Sequence, residues 1–242
     1  MDSLFYPQKY KILKNGRIMA NTNFRPKYIS YDVYGTLINF NIYPTTQRLL
    51  ADRIPEEQWP AFKKVFRAYR FDEVNGDYKP YVEILQSAFD RACKRFGIGP
   101  TPGAGAELAE AVRSSIAHED VPAALKLQGD NYKLVALSNA DDSFLDISIP
   151  KLGADWHAVF TAEQAGAYKP RLQAFEYMLD TLNAKPEDFL HVSSHPLYDH
   201  IPMYNLGFRD LVMLDRGAEP FADGYNIATV KSLDELNKHL GL

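Results

Sequence analysis

Short apolar runs alternate with helical stretches through most of this 242-residue chain. The runs are rich in Val, Ile, Leu, Phe and Tyr and are bounded by Gly, Asp, Asn or Pro, which is typical of buried strands. The predicted strands are Tyr28–Asp32, Tyr132–Ser138, Ala158–Thr161, Phe189–Ser193, Asp210–Leu214 and Ile227–Val230. Helical stretches alternate with the later strands, at Pro122–Gln128, Ser143–Ile149, Arg171–Leu182, Ile201–Leu206 and Ser232–His239. The pattern predicts the α/β class, with a doubly wound, Rossmann-like parallel sheet covered by helices on both faces.

The alternation is interrupted between the first two strands. Residues 44–117 contain no convincing strand, and their composition predicts three helical stretches, at Glu56–Asn75, Pro80–Phe96 and Ala104–Ala117. A helical insertion directly after the first strand would cover the carboxyl end of that strand as a cap. The sequence therefore predicts an amino-terminal arm at 1–24, a core domain made of 25–43 and 118–242, and a helical cap domain at 44–117.

The composition excludes several classes of partner. A formal net charge of −4 gives no reason to expect nucleic acid or an anionic membrane surface. No stretch approaches the roughly 20 apolar residues of a membrane span, and residues 1–24 are polar and basic, without the apolar core of a signal peptide. The single cysteine, Cys93, cannot form an internal disulfide, which suits a reducing compartment. We therefore expect a cytoplasmic protein with no nucleic-acid or membrane partner.

The first predicted strand ends in an acid. Asp32 follows a mostly apolar run, and the turn Tyr34-Gly35-Thr36 comes directly after it. Ligands of open α/β sheets bind in the crevice outside the carboxyl ends of the strands. A carboxylate at such a strand end is well placed to act as a nucleophile, so Asp32 is a candidate for covalent catalysis.

Three further polar clusters stand at strand ends or just before a helix. They are Ser138-Asn139, Lys169, and the loop from Ser193 to Asp199. In a doubly wound sheet these segments converge on one crevice. A nucleophilic carboxylate needs a nearby cation to stay ionised, and Lys169 suits that role. The turns at Val33-Tyr34 and Ser138-Asn139 offer amides and a hydroxyl to an anionic group.

Taken together, these motifs resemble the haloacid dehalogenase superfamily. The resemblance is carried by Asp32-x-Tyr34-Gly35-Thr36-Leu37, Ser138-Asn139, Lys169-Pro170 and the Ser193…Asp199 loop, in this order. The Asp-x-Tyr-Gly-Thr form followed by a helical cap is similar to the L-2-haloacid dehalogenase branch. The resemblance covers the chain from about Lys27 to its end, and it is the combination of motifs that is specific.

This resemblance implies hydrolysis of short 2-haloalkanoic acids. Asp32 would displace the halide with inversion and form an ester, and water attacking the Asp32 carbonyl would release a 2-hydroxy acid. Lys169 would pair with Asp32, and Asp199, with Ser193, would orient the water or Lys169. Thr36 belongs to the same catalytic set.

The resemblance also implies contacts with a small anionic 2-haloacid and with the halide product. Ser138 and the backbone around Val33 and Tyr34 would bind the substrate carboxylate, and Asn139 together with a cap arginine would receive the halide. Two arginines are candidates, and we favour Arg70, just before the loop at 76–80, over Arg67. Since relatives are often dimers, a homodimer is one expected assembly.

Tyr34 separates two chemistries within the superfamily. Phosphatases of this superfamily place a second acid there as general acid and base, and they use magnesium. A tyrosine does not transfer protons in that way near neutral pH. We therefore expect no metal and no cofactor.

Some positions depart from the dehalogenase pattern. A tyrosine that usually follows the motif lysine by six residues is replaced by Phe175, and no asparagine of the last loop can position the water. His195 or His200 could take that role, or either could be ordinary loop histidines. The pair Asp141-Asp142 is interpreted as the N-cap of the next helix rather than a metal site.

Two other functions stay open at this point. One keeps the nucleophile but changes the substrate, giving a phosphatase or a hydrolase of another activated small acid. The other is a non-catalytic relative, for which Phe175 and the altered last loop would be marks of decay.

Overall fold

The computed structural model describes residues 10–12, 18–20, 25–217 and 224–242. Within the predicted amino-terminal arm, strands β1 (Tyr10–Ile12) and β2 (Ile18–Ala20) pair in antiparallel fashion. The remainder of the arm lies outside the described residues, and so does most of the segment on which the prediction of no signal peptide was based.

The core is a six-stranded sheet in which every pair of neighbours is parallel. Its strands are β3 (Tyr28–Tyr31), β4 (Lys133–Ser138), β5 (Ala158–Thr161), β6 (Phe189–Ser193), β7 (Leu211–Leu214) and β8 (Ala228–Val230). Their spatial order is β5-β4-β3-β6-β7-β8. The order reverses direction at β3, where ligands of doubly wound sheets bind. The predicted fold class and all six predicted strands are confirmed.

The segment between β3 and β4 is helical, as predicted. It contains α1 (Tyr43–Leu50), α2 (Trp59–Val74), α3 (Tyr81–Arg95) and α4 (Ala104–Arg113). Helix α1 was not predicted; it begins with a proline in its first turn, where the missing N–H has no cost. Helix α4 is shorter than predicted because Ala117 bridges to Ile38 and the Asn39 amide donates to Ile116. We propose that residues 44–117 form the cap domain, with these two paired linkers joining it to the core.

Helices cover both faces of the sheet. They are α5 (Val121–Gly129), α6 (Asp142–Ser148), α7 (Ala162–Ala165), α8 (Leu172–Leu182), α9 (Ile201–Asn205) and α10 (Leu233–Leu240). The larger apolar core joins one sheet face to the cap helices, and a smaller one lies on the other face. Phe175 packs in the smaller core and is fully buried. Among the described residues, every helix is too short or too polar to span a lipid bilayer.

Candidate active site

Asp32 lies at the centre of the sheet edge, one residue beyond β3. Its amide donates to the Val192 carbonyl, so it continues the register of β3 on β6. The carboxylate is only 5% exposed. Thr36 Oγ1 donates to Oδ2 over 2.7 Å, and Lys169 Nζ donates to Oδ1 over 2.9 Å. Both oxygens of the predicted nucleophile are therefore oriented by donors.

The turn after Asp32 closes on itself. The Gly35 amide donates to the Ile38 carbonyl, and the amides of Leu37 and Ile38 both donate to Val33. Gly35 has φ +93°, a conformation that side chains disfavour, which explains the glycine. Within residues 25–217 and 224–242, the amides of Val33 and Tyr34 donate to no protein acceptor. The turn thus leaves two N–H groups for an anion, as expected for this position.

Lys169 connects the two acids of the site. Its Nζ lies 2.9 Å from Asp32 Oδ1, 2.8 Å from Asp199 Oδ1 and 2.8 Å from the Leu137 carbonyl. Burial alone would lower the pKa of Lys169, but the charges of Asp199 and Asp32 offset it and the pKa is raised. The lysine therefore stays charged, with hydrogen bonds to Asp32 Oδ1 and the Leu137 carbonyl and an ion pair with Asp199.

Asn139 holds the backbone of that lysine. Its Oδ1 accepts from the Lys169 amide over 2.7 Å, and its Nδ2 donates to the Lys169 carbonyl over 2.7 Å. These two bonds position Lys169 and use one of the two N–H donors of the side chain. The second N–H leaves the expected contact of Asn139 with the halide as a prediction.

Asp199 is buried at the end of the last loop. Ser193 Oγ donates to its Oδ2 over 2.8 Å. Burial would raise the pKa of Asp199, but the charge of Lys169 and hydrogen bonds to the carboxylate lower it below the usual value. Asp32, Lys169, Asp199 and Ser193 therefore form one connected cluster, as the motifs predict.

Ser138 supplies a free hydroxyl beside this cluster. The residue is 2% exposed, and in the part of the chain that the structure describes its Oγ has no hydrogen-bond partner. A buried hydroxyl without a partner costs stability. Together with the open amides of Val33 and Tyr34, it is a cradle that an anionic ligand would satisfy.

The Tyr34 side chain points away from the carboxylates. Its hydroxyl lies 2.7 Å from Ser148 Oγ and donates to the Phe144 carbonyl over 3.2 Å, both on α6. Burial raises the pKa of Tyr34 to about 12, so the phenol stays neutral. The position that would carry a second acid therefore contributes only backbone groups to the site.

The two loop histidines have different environments. His195 Nε2 lies 3.8 Å from Asp32 Oδ2, so this ring belongs to the site. His200 is fully buried beside His191, and burial lowers the pKa of His200 to about 3. His200 is therefore a neutral core histidine, and of the two only His195 reaches the nucleophile.

The cap contributes Arg70. Its guanidinium lies 5.2 Å from the Phe40 ring and 5.3 Å from the Phe66 ring, and its charge acts on Tyr81. Among the described residues its Nε has no hydrogen-bond partner. Tyr81 and Tyr198 interact electrostatically with both Arg70 and Asp32, so the cap arginine and the nucleophile share these neighbours.

Arg67, the other candidate, lies three residues before Arg70 on α2. It also acts on Tyr198, but the contacts with Tyr81 and with both phenylalanine rings belong to Arg70. A cation between aromatic faces, with an unused N–H, is a good receptor for a small anion.

Asp141 fastens the cap to the core, a role that was not predicted. Asp141 occupies the predicted N-cap position of α6, but its side chain makes no capping bond there. Its Oδ2 instead accepts from the Tyr81 amide at the start of α3 over 2.9 Å, and its Oδ1 accepts from Tyr78 over 3.1 Å. Tyr168, next to Lys169, donates to the Lys79 carbonyl of the cap over 2.8 Å. No sequence signal distinguishes this use of Asp141 from ordinary capping.

The two acids of the site are joined by a lysine and, within the described ranges, do not form a larger cluster of acidic, histidine or cysteine side chains. Among the described residues, no group of three or more His, Cys, Asp or Glu side chains is arranged to hold one. The Lys169 ammonium already binds one oxygen of Asp32 and one of Asp199. Magnesium requires several oxygen ligands at about 2.0–2.1 Å, so an ion here would share these two carboxylates with the lysine.

Comparison with known families agrees with this geometry. Residues 26–199 match the model of the haloacid dehalogenase-like hydrolases, a span that runs from β3 to Asp199. The chain belongs to the haloacid dehalogenase-like hydrolases. No curated protein matches it significantly.

Solved structures of haloacid dehalogenase-like proteins share the fold. A dehalogenase with an intermediate complex superposes with a TM-score of 0.73 at 22% identity, covering 90% of this chain and 98% of that one. The L-2-haloacid dehalogenase from Xanthobacter autotrophicus, with chloropropionic acid covalently bound, gives 0.70 at 17% identity, covering 88% and 98%. A magnesium-bound hydrolase of the superfamily from Bacillus subtilis gives 0.75 at 14% identity, covering 90% and 100%. At these identities the likeness concerns the fold alone.

Proposed function

We propose that this hydrolase removes halide from short 2-haloalkanoic acids through an ester on Asp32. The observation that carries the proposal is the combination of Tyr34 and Arg70. Tyr34 puts a neutral side chain where phosphatases of the superfamily have an acid, and Arg70 provides a cation that shares Tyr81 as a neighbour with the nucleophile.

Without an acid at position 34, the site favours leaving groups that depart without taking up a proton. An alcohol or a phosphate ester oxygen needs a proton as it departs, which a general acid supplies. The Tyr34 phenol lies on α6 and stays neutral. Halide needs no proton when it leaves, because it is already a stable anion. Arg70, between Phe40 and Phe66, stabilises that charge as it develops.

The substrate carboxylate fits the cradle beside Asp32. Ser138 Oγ and the amides of Val33 and Tyr34 are donors without protein acceptors among the described residues. Held there, the carboxylate fixes the neighbouring carbon in front of Asp32, and such positioning lowers the barrier of a bimolecular step.

The reaction has two halves. In the first, an oxygen of Asp32 bonds to C2, and the carbon–halogen bond breaks with both electrons going to the halide. In the second, water adds to Cγ of Asp32, and the 2-hydroxy acid departs. Lys169 holds Asp32 in place throughout, and Asp199, fixed by Lys169 and Ser193, orients the lysine and the water.

Halide release tests the proposal. The purified protein, with EDTA present, is incubated with L-2-chloropropionate, L-2-bromopropionate and haloacetates, and free halide is measured. We expect release by the wild type and none by Asp32→Asn. No release from any of these acids would overturn the substrate assignment.

A magnesium-dependent phosphatase is the alternative that the same fold would allow, as the magnesium-bound neighbour illustrates. It predicts phosphoester turnover that depends on added magnesium. The tyrosine at position 34, where phosphatases of the superfamily have an acid, argues against it. Turnover of p-nitrophenyl phosphate with magnesium, in the absence of halide release, would favour it.

We further propose a cytoplasmic enzyme without a cofactor, acting either alone or as a homodimer. Cys93 is buried, and burial raises the pKa of its thiol to about 11, so it is a structural residue that needs no oxidising compartment. Fractionation of the source cell and light scattering of the purified protein test the two parts.

A further inference from the structure

The His195 ring lies directly on the turn that carries Asp32. Its Nε2 is 3.2 Å from the Tyr34 carbonyl oxygen and 3.8 Å from Asp32 Oδ2. A carbonyl oxygen only accepts, so the hydrogen of this contact is on Nε2. In the resting site the Nε2–H is therefore donated to the Tyr34 carbonyl, and Asp32 Oδ2 is a nearby second acceptor.

Gly35 makes room for this ring. A β-carbon at position 35 would lie 2.3 Å from His195 Nε2. On its other side the ring meets Tyr198 edge-to-face, with centroids 5.8 Å apart. The backbone is fixed as well, because the His195 amide donates to Ser193 Oγ over 2.9 Å and the Asp199 amide donates to the His195 carbonyl over 3.0 Å. The direction of the N–H is thus set by the surrounding structure.

We propose that His195 serves the hydrolytic half of the reaction, donating its Nε2–H to Asp32 Oδ2 while the ester is cleaved. This inference rests on the proposed function, because it requires an ester on Asp32. It assigns a task to a residue at which the chain departs from the common form of the motif.

The two half-reactions change the negative charge on the Asp32 carboxylate in opposite directions. In the first half the carboxylate gives up negative charge to the departing halide, so a donor to the carboxylate does not help. In the second half the oxygen of water bonds to Cγ. If Oδ1 carries the substrate, Oδ2 becomes the oxyanion; if Oδ2 carries it, Oδ2 is the oxygen that departs. Negative charge therefore grows on Oδ2 in both cases.

The protons balance without net transfer from the histidine. One proton of the attacking water ends on the product hydroxyl, and the other is released as Asp32 returns to its ionised form. His195 Nε2 keeps its hydrogen and acts as an electrostatic donor, in the manner of an oxyanion hole.

The other donors around Asp32 do not replace His195 at Oδ2. Lys169 donates to Asp32 Oδ1 and to the Leu137 carbonyl and pairs with Asp199, so its contact with the nucleophile is at Oδ1 rather than Oδ2. Thr36 already donates to Oδ2 over 2.7 Å, and a developing oxyanion accepts more than one donor. In the resting site the Nε2–H is donated to the Tyr34 carbonyl, and the 3.8 Å separation from Asp32 Oδ2 is longer than a hydrogen bond. His195 must therefore share this hydrogen with Oδ2 as the ester is cleaved. Catalytic contacts commonly tighten as charge develops.

Two substitutions of His195 distinguish the effect of its N–H donor from the effect of its ring packing. His195→Gln keeps an N–H at a similar reach but has no ring, whereas His195→Phe keeps a ring against Tyr198 but has no donor. Single-turnover reactions with L-2-chloropropionate are quenched at successive times. The mass of the peptide that contains Asp32 and the amount of free halide are then measured in each sample. Thermal melting of both variants checks folding, and His195→Leu replaces the phenylalanine variant if that variant does not fold.

We expect His195→Phe to release its first halide at nearly the wild-type rate and to hydrolyse the ester about 10²–10³-fold more slowly, the usual cost of one oxyanion donor. Its Asp32 peptide then accumulates the mass of the ester, and that of His195→Gln does not. Rapid ester hydrolysis by His195→Phe, or equal ester accumulation in both variants, would overturn the inference. If the wild type gives neither halide nor ester, the proposed function fails and this inference fails with it.

Discussion

The sheet side and the cap side of the site are built in different ways. On the sheet side the charged groups satisfy one another, with Lys169 joining Asp32 and Asp199 through contacts of 2.8–2.9 Å. On the cap side Arg70 lies between two aromatic rings with an unused N–H among the described residues. The first arrangement fixes a nucleophile, and the second leaves capacity for a ligand. The difference suggests that the core determines the reaction and the cap determines what reacts.

The largest expected effect tests the sheet side. Lys169→Met leaves two buried carboxylates without their cation, and breaking a buried pair in this way costs about 3–5 kcal/mol. We expect a large fall in the urea midpoint and loss of halide release. Adding Asp199→Asn to this variant should restore part of the stability, since one uncompensated charge is removed. Equal stability of Lys169→Met and the wild type would show that the three groups are not coupled.

The cap side is tested by two matched arginine substitutions. We expect Arg70→Leu to lower kcat/KM for haloacids on the order of 10²-fold, because a preorganised donor to the departing anion is lost. We expect a much smaller loss in Arg67→Leu, because the contacts with Tyr81, Phe40 and Phe66 belong to Arg70. Steady-state kinetics of both variants decides between them. A larger loss in Arg67→Leu would reverse the assignment.

The dependence of stability on pH tests the ion pair of Asp199 on the sheet side. The pKa of Asp199 is lowered in the folded protein, so its ion pair contributes stability that is present above the unfolded pKa of about 3.9 and is lost as the pH falls below it. Asp199→Asn should therefore be less stable than the wild type near pH 6, with a melting temperature that falls less steeply below about pH 4. Parallel curves for the two proteins would contradict the shift.

The smallest expected effect concerns the fastening of the cap. Asp141→Ala removes the acceptor of the Tyr81 amide at the start of α3. Loss of such a hydrogen bond at a helix amino terminus costs about 1 kcal/mol. Asp146→Ala, an exposed acid on the same α6 helix, is the matched control and should be neutral within about 0.5 kcal/mol. Urea denaturation compares the two. Equal stability of the two variants would mean that the cap is held by packing alone.

Much of this arrangement could be predicted from the residues, because local patterns specify it. The buried strands were identified from their composition, and Asp32, Lys169 and Asp199 converge because the carboxyl ends of parallel strands share one edge. The extent of α4 could not be predicted, because its end depends on the pairing of Ala117 with Ile38.

The sequence could not show which hydrogen-bond partners the polar side chains of the site have. Asn139 and Asp141 each have side chains that suit several roles, and only the tertiary structure shows that one holds Lys169 and the other holds the start of α3. The position of His195 likewise depends on the space above Gly35, for which a glycine in a turn is no specific signal.

The central claim is that Asp32 becomes covalently bound to the substrate and is then freed by water. Many turnovers in H₂¹⁸O, followed by mass analysis of the peptide that contains Asp32, test it most directly. Because water attacks Cγ, the account predicts that ¹⁸O enters the Asp32 carboxylate of the wild type, and that Asp32→Asn neither reacts nor gains label. Halide release with ¹⁸O in the product alone and an unlabelled Asp32 peptide would contradict the account, since water would then attack the substrate directly.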